Sequence, residues 1–221
     1  MRIDLSHLKV PCAPKVWFDL PDELTKWPAE MWAELPALPP FRLADGSGPA
    51  LHQTVARVCC DPAALYVRFE CQDHDIWATY AHRDDPIYNE EVVEVFIASG
   101  ADDPTRYYEF EVSPAGVLFD ARVYNPTSTR ADLVVDETWN CPGIRWSGER
   151  NDPAERWWAA LAIPWAAIAP DGNPPHLCRA NFYRIERPRG GAPEFSCWSP
   201  TLTNPADFHK PARFGCLELP F

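Results

Sequence analysis

The chain has 221 residues, 46% of them hydrophobic, with 25 Pro and 10 Trp. Its formal net charge of −12 excludes the basic footprint that a phosphate backbone requires and disfavours an anionic membrane surface. A chain of this length buries a substantial core without disulfides or a structural metal, and no segment approaches the roughly 18–20 apolar residues needed to cross a bilayer.

In chain order, residues 1–49 read as a Pro-rich, irregular extension packing on the main body, with one weakly helical stretch at Asp22–Glu34. From there on, a period of two recurs, the signature of strands with two unlike faces. In Ala64–Gln72, Leu65, Val67, Phe69 and Cys71 point one way and Tyr66, Arg68, Glu70 and Gln72 the other. In Val92–Ala98, Val93, Val95 and Ile97 alternate with Val92, Glu94 and Phe96. In Tyr107–Val112, Tyr108, Phe110 and Val112 alternate with Tyr107, Glu109 and Glu111. Ser113-Pro114-Ala115-Gly116 is a turn signal, and Val117, Phe119, Ala121 and Val123 share one face of the next strand, so the pair predicts a β-hairpin. Further strands are predicted at Arg156–Ile163, Arg179–Glu186, Glu194–Trp198 and Phe214–Leu219, with a helical turn at Trp165–Ile168. Short strands bounded by turns, with no long amphipathic helix between them, predict an all-β, antiparallel, jelly-roll-like sandwich over 50–221 in a single domain.

The eight cysteines form no C-x-x-C pair, and several fall at strand positions, so they read as buried free thiols. The N-terminus lacks the continuous apolar run of a signal peptide. Both features point to the cytoplasm, or to secretion if a leader has been removed.

The chain carries no G-x-S-x-G, no H-E-x-x-H and no phosphate-cradling glycine loop, and its six histidines are dispersed. What remains is carboxylates with aromatics. Glu109 and Glu111 share a strand face with Cβ atoms about 7 Å apart, and Glu94 lies on a neighbouring strand. The plainest reading makes this the wet side of a half-exposed sheet. Against it, acidic residues are poor strand formers, and Tyr107, Tyr88 and Trp77 stand nearby. Rings that stack on the C–H faces of a pyranose, with acceptors for its hydroxyls, make a sugar site.

These segments resemble a known family. Leu65-Tyr66-Val67, Asp75-Ile76-Trp77-Ala78-Thr79, the run from Asp84 to Ile97, and Tyr107-Tyr108-Glu109-Phe110-Glu111-Val112 are similar to the core of family 9 carbohydrate-binding modules. So are Ala162-Ile163-Pro164-Trp165, Asn181-Phe182-Tyr183-Arg184, Trp198-Ser199-Pro200-Thr201 and Arg213-Phe214-Gly215. The resemblance covers roughly residues 50–219 in order and implies a β-sandwich, often attached to xylanases, that binds sugars at polysaccharide chain ends. It also implies a terminal sugar clamped between two rings, which fall at Tyr88 and near Phe208. Glu94 would read hydroxyls, Glu109 and Glu111 would replace a glutamine and an arginine, and Asn204 would precede the second ring. Two extra glutamates add negative charge, and close packing would raise at least one of their pKa values.

No cofactor is required by this reading. Calcium, structural in some relatives, would suit an all-oxygen cluster, with Asp84, Asp85, Asp102 and Asp103 as alternative loop ligands or plain turn formers. Trp77 would line or buttress the pocket, and Trp198 would bind or pack. Arg122, Arg184 and Arg187 are candidate partners for the glutamates, with Arg122 also a candidate sugar contact. The expected partner is a mono- or oligosaccharide, with no nucleic acid or membrane, and the expected state is a monomer. Two alternatives stay open: a xylanase-related glycoside hydrolase using a glutamate pair, which needs carboxyls about 5–9.5 Å apart across the sugar, and an interaction domain whose sugar pocket has degenerated.

Overall fold

The computed structural model describes residues 5–13 and 29–221. Its strands are β1 (His7–Lys9), β2 (Arg42–Leu43), β3 (Thr54–Cys60), β4 (Ala64–Gln72), β5 (Val92–Ser99), β6 (Arg106–Val112) and β7 (Leu118–Tyr124). They continue with β8 (Val134–Asp136), β9 (Arg145–Asn151), β10 (Arg156–Pro164), β11 (Leu177–Glu186), β12 (Glu194–Cys197) and β13 (Gly215–Glu218). The helices are α1 (Ala29–Ala33) and α2 (Trp165–Ile168). Most of the expected Asp22–Glu34 helix, residues 22–28, lies outside the described residues; α1 is the described part.

Two sheets form the sandwich. The larger runs β1-β13-β11-β5-β6-β7-β8, with β12 on β11 and β2 on β12; the smaller runs β3-β4-β10-β9. Pairing is antiparallel except between β1 and β13. The irregular N-terminal extension thus donates β1 and β2 to the large sheet, while Val10, Leu38 and Phe41 enter the common core. Between the sheets lie Leu65, Val67 and Phe69 of β4, Val93, Val95 and Ile97 of β5, Phe110 of β6, Leu161 of β10 and Phe182 of β11. These are the inward residues that alternation predicts. Trp157 and Trp165 are buried there too, whereas Trp146 and Trp158 are half-buried.

The far face of the large sheet departs from the expectation of a wet side. Val92, Phe96, Tyr107, Phe119, Val123 and Tyr183 are buried on it, covered by Ile87, Phe208 and Phe214 from loops. A sheet buried on both faces hides polar side chains that alternation would place in water. Glu94, Glu109 and Glu111 occupy this covered face.

Six of the eight cysteines are buried, Cys12 is exposed and Cys216 intermediate, and all are free thiols. Gly116, at φ +75°, closes the β6–β7 hairpin in the left-handed region that glycine adopts without strain.

Close approach also fixes Gly215. A Cβ there would run into the Trp198 ring and stand 2.7 Å from the Ser6 carbonyl. Gly215→Ala is expected to cost about 2 kcal/mol through overpacking and to lower Tm by roughly 6 °C at this size. Unchanged thermal unfolding would refute the packing argument.

Candidate functional site

The covered face is not closed everywhere. Over β5, β6 and β7 it opens into a cavity of about 430 Å³. Its polar floor comes from neighbouring strands in register: Glu94 of β5 pairs with Glu111 of β6, and Glu109 sits across from Phe96. Directly opposed carboxylates of like charge disfavour strand pairing, so these residues oppose local stability where they stand. Their carboxylate oxygens lie within 4.8 Å of one another, and the residues are 2%, 5% and 1% exposed in chain order.

Burial dominates their chemistry. It pushes Glu109 up to about 7, against a hydrogen bond with Glu111 and the nearby Arg130 charge. Burial first, then the Glu109 charge, raises Glu94 well above the usual carboxylate range, with Arg130 and Arg187 opposing. Burial, then the charges of Glu94 and Glu109, does the same to Glu111.

The walls are aromatic. Tyr88, in a one-turn 3₁₀ helix at Ile87–Asn89, sits edge-on to Phe119 at 5.5 Å. Phe208 stacks on Tyr183 at 4.2 Å and 18° and meets Phe195 edge-on at 5.9 Å. Burial and then the Glu137 charge raise the Tyr88 phenol, so it enters as a neutral hydroxyl.

The structure brings Tyr88, Glu94, Glu109, Glu111 and Phe208 to this one cavity. It places four other candidates elsewhere. Trp77 lines a second hollow with Asp73, Arg150 and Arg189, its indole donating to the Arg187 carbonyl at 2.6 Å. Trp198 is 3% exposed and packs on Phe182 at 5.5 Å, so it is core. Asn204 is exposed on a third hollow beside Leu43 and Glu194. Arg122 pairs across from Tyr108, and alternation puts it on the opposite face from the glutamates, bound to Asp136 at 2.7 Å.

Arg187 does line the cavity. Arg184 does not: it is buried with Asp73, Glu91 and Glu186, whose carboxylates form a second close group. Its guanidinium lies 3.3 Å from Asp73 and also bonds Glu186, so the protein supplies that group with its own cation. Of the loop aspartates, Asp85 accepts from the Ala81 and His82 amides and Asp103 pairs with Arg179, both as turn and loop ties.

Arg130, Glu137 and His209 are cavity residues that sequence reasoning missed. The first two come from the segment between β7 and β9, where Leu133-Val134-Val135 was the only apolar run to signal a strand. His209 bonds the Tyr107 hydroxyl at 2.8 Å, and burial, helped by Arg130, lowers its pKa to about 4.

All three glutamates rise from one floor, so no two of them face each other across a bound ring as a hydrolytic acid and base do. The arrangement can present hydrogen-bonding groups to a small ligand.

Known proteins carry the same pattern. An extracellular protein of Arthroderma benhamiae is 30% identical over 169 residues, which cover 73% of this chain and 76% of that protein. A Bacteroides uniformis chain, described as a candidate carbohydrate-binding protein, aligns with a TM-score of 0.73 at 19% identity over 97% of this chain and 98% of its own. A family 9 carbohydrate-binding module of Caldicellulosiruptor kristjanssonii, solved with glucose, aligns with a TM-score of 0.67 at 13% identity over 97% and 95%. At those identities the structures speak for the fold. The carbohydrate-binding family 9 model matches residues 48–219, most of the sandwich and every cavity residue named above, and the chain belongs to that family.

Proposed function

We propose that the cavity over β5, β6 and β7 is the sugar site of this non-catalytic carbohydrate-binding domain, taking a single sugar or a chain end. The observation that carries this is the pairing of aromatic walls, Tyr88 and Phe208, with a floor of buried acceptors, Glu94, Glu109 and Glu111. Rings supply stacking surface for the C–H face of a pyranose, and carboxylates accept from its hydroxyls. About 430 Å³ lies at the small end of the roughly 300–1,000 Å³ typical of small-molecule sites, which suits a terminal unit better than a long chain segment. The Caldicellulosiruptor kristjanssonii module is also solved with cellotriose, a short chain of that kind.

Calorimetric titration with glucose, xylose, cellobiose, xylobiose and the amino sugar glucosamine tests the reading, on wild type and Tyr88→Ala. Saturable heat with at least one sugar is expected. Tyr88→Ala should weaken it by about 2 kcal/mol, roughly thirtyfold, as loss of a central aromatic anchor does. Equal affinity in the variant would place the site elsewhere.

A further inference from the structure

Among the described residues, none of the three floor carboxylates makes an ion pair, and Glu109 Oε2 and Glu111 Oε2 are buried with no hydrogen-bond partner. The other charged groups facing them are Glu137, Arg130 and Arg187. Arg130 is tied to Asp207 at 3.1 Å, and Arg187 lies over the Phe195 ring. His209 stays neutral at ordinary pH. Glu109 and Glu111 bond each other, but the cavity still carries more carboxyl groups than cations, and no side chain pairs the two buried oxygens.

A neutral sugar answers this poorly, since each hydroxyl brings one proton and no charge. A primary ammonium brings three donors and a full positive charge. Donating at about 2.8 Å, it sets its acceptors about 4.6 Å apart, within the spacing of the three carboxylates. A divalent cation fits less well. Calcium gathers 6–8 oxygens, would sit beside two guanidiniums, and would leave the rings without a partner.

We propose that the cavity selects a sugar bearing a primary ammonium group, a hexosamine such as glucosamine or a chain ending in one. Its nitrogen sits among Glu94, Glu109 and Glu111 and its ring lies against Tyr88 and Phe208. This rests on the reading of the cavity as the sugar site. Burial keeps protons on the empty cluster. An adjacent positive charge favours the ionised carboxyl, so a carboxyl O–H breaks as the ligand enters. Its proton leaves to solvent, the ammonium keeps its own three, and charge balances.

The test is calorimetry on the full chain at pH 6.5 with glucosamine, glucose and N-acetylglucosamine, each in two buffers of different ionisation enthalpy, with and without calcium. Glucosamine is expected to bind about tenfold or more tighter than the two neutral sugars and to release about one proton per site, while glucose releases none. Glu109→Gln and Glu111→Gln, which conserve shape, should each remove most of the ratio of glucosamine to glucose affinity and the proton release with it; the wild-type arm stands even if a variant fails to fold. Glucose binding as tightly as glucosamine would overturn the charge selection and leave the sugar site intact. No heat with any sugar would overturn the site and the inference together. Sugar binding only in the presence of calcium would assign the cluster to the metal and overturn the ammonium reading.

Discussion

Arg184→Ala is expected to destabilise the fold by about 3–5 kcal/mol, the cost of removing one partner from a buried charged set. Arg184 is fully buried, as are Asp73, Glu91 and Glu186 around it. The guanidinium bonds Glu186 and the Gln72 carbonyl at 2.8 Å, and its charge lies 5.8 Å from the Trp157 ring. Burial works against that charge, but Cys71, Glu186, Asp73 and Glu91 outweigh it and hold the pKa above its ordinary value. Without the arginine, three buried carboxyls lose the cation bonded among them. Thermal unfolding should show Tm lower by roughly 10 °C or more for a chain of this size. A loss under 1 kcal/mol would mean that water enters the set freely. The loss also reaches the cavity over β5, β6 and β7, because Glu91 accepts from the Trp77 amide at 3.2 Å and so anchors the segment that leads to Tyr88.

The second large effect is on pH. Glu91 is raised to about 9, by burial and then by the charges of Asp73 and Glu186. Burial raises Glu186 to about 7 against the Arg184 charge, and Glu94, Glu109 and Glu111 are raised as described. A carboxyl whose folded pKa lies above its unfolded value contributes stability in full below the unfolded value, near 4.5, and loses it as pH rises through the folded value. Five such groups make stability fall between about pH 5 and 9, by several kcal/mol in all. His209 works in the other direction: its depressed pKa contributes stability above 6.5 that is lost as pH falls toward 4. One such group cannot offset five, so Tm is expected to be highest at about pH 4–5 and to decline steadily toward pH 9. A flat profile, or a rise toward alkaline pH, would contradict the burial of these carboxyls.

How far the sequence foretold this depends on the kind of signal. Strands with one apolar and one mixed face, such as β4 and β6, were legible because their alternation is sharp, and the residues facing the core agree with it. β3 was missed because Thr54-Val55-Ala56-Arg57-Val58-Cys59-Cys60 is half-buried in a pattern its hydrophobicity does not follow: Val55 is exposed while Thr54 and Ala56 are buried. β9 was missed because it is an edge rich in charge. The glutamates were legible as out of place in strongly β segments, but not as buried, because part of the cover, Phe208 and Phe214, comes from a loop far along the chain. Arg130 and Glu137 stand much closer in sequence, but in a segment with no strand pattern strong enough to carry them to the cavity. Trp198 and Arg122 show the converse: nearness in sequence to a site segment says nothing about which side of the sheet a residue takes.

The strands that end the larger sheet have a further consequence. β1 and β8 are three residues each, β2 is two, and the described ladder stops there. A chain seeking to extend a sheet needs a long, regular row of free amides and carbonyls, and sheets that lack one resist joining edge to edge. Here each boundary offers scarcely one repeat of that row, with Lys9 at one and Asp136 at the other to repel a flat neighbour. The larger sheet thus keeps most of its edge polarity to itself, which leaves the longer edges of the smaller sheet, β3 and the charged β9, as the ones to guard.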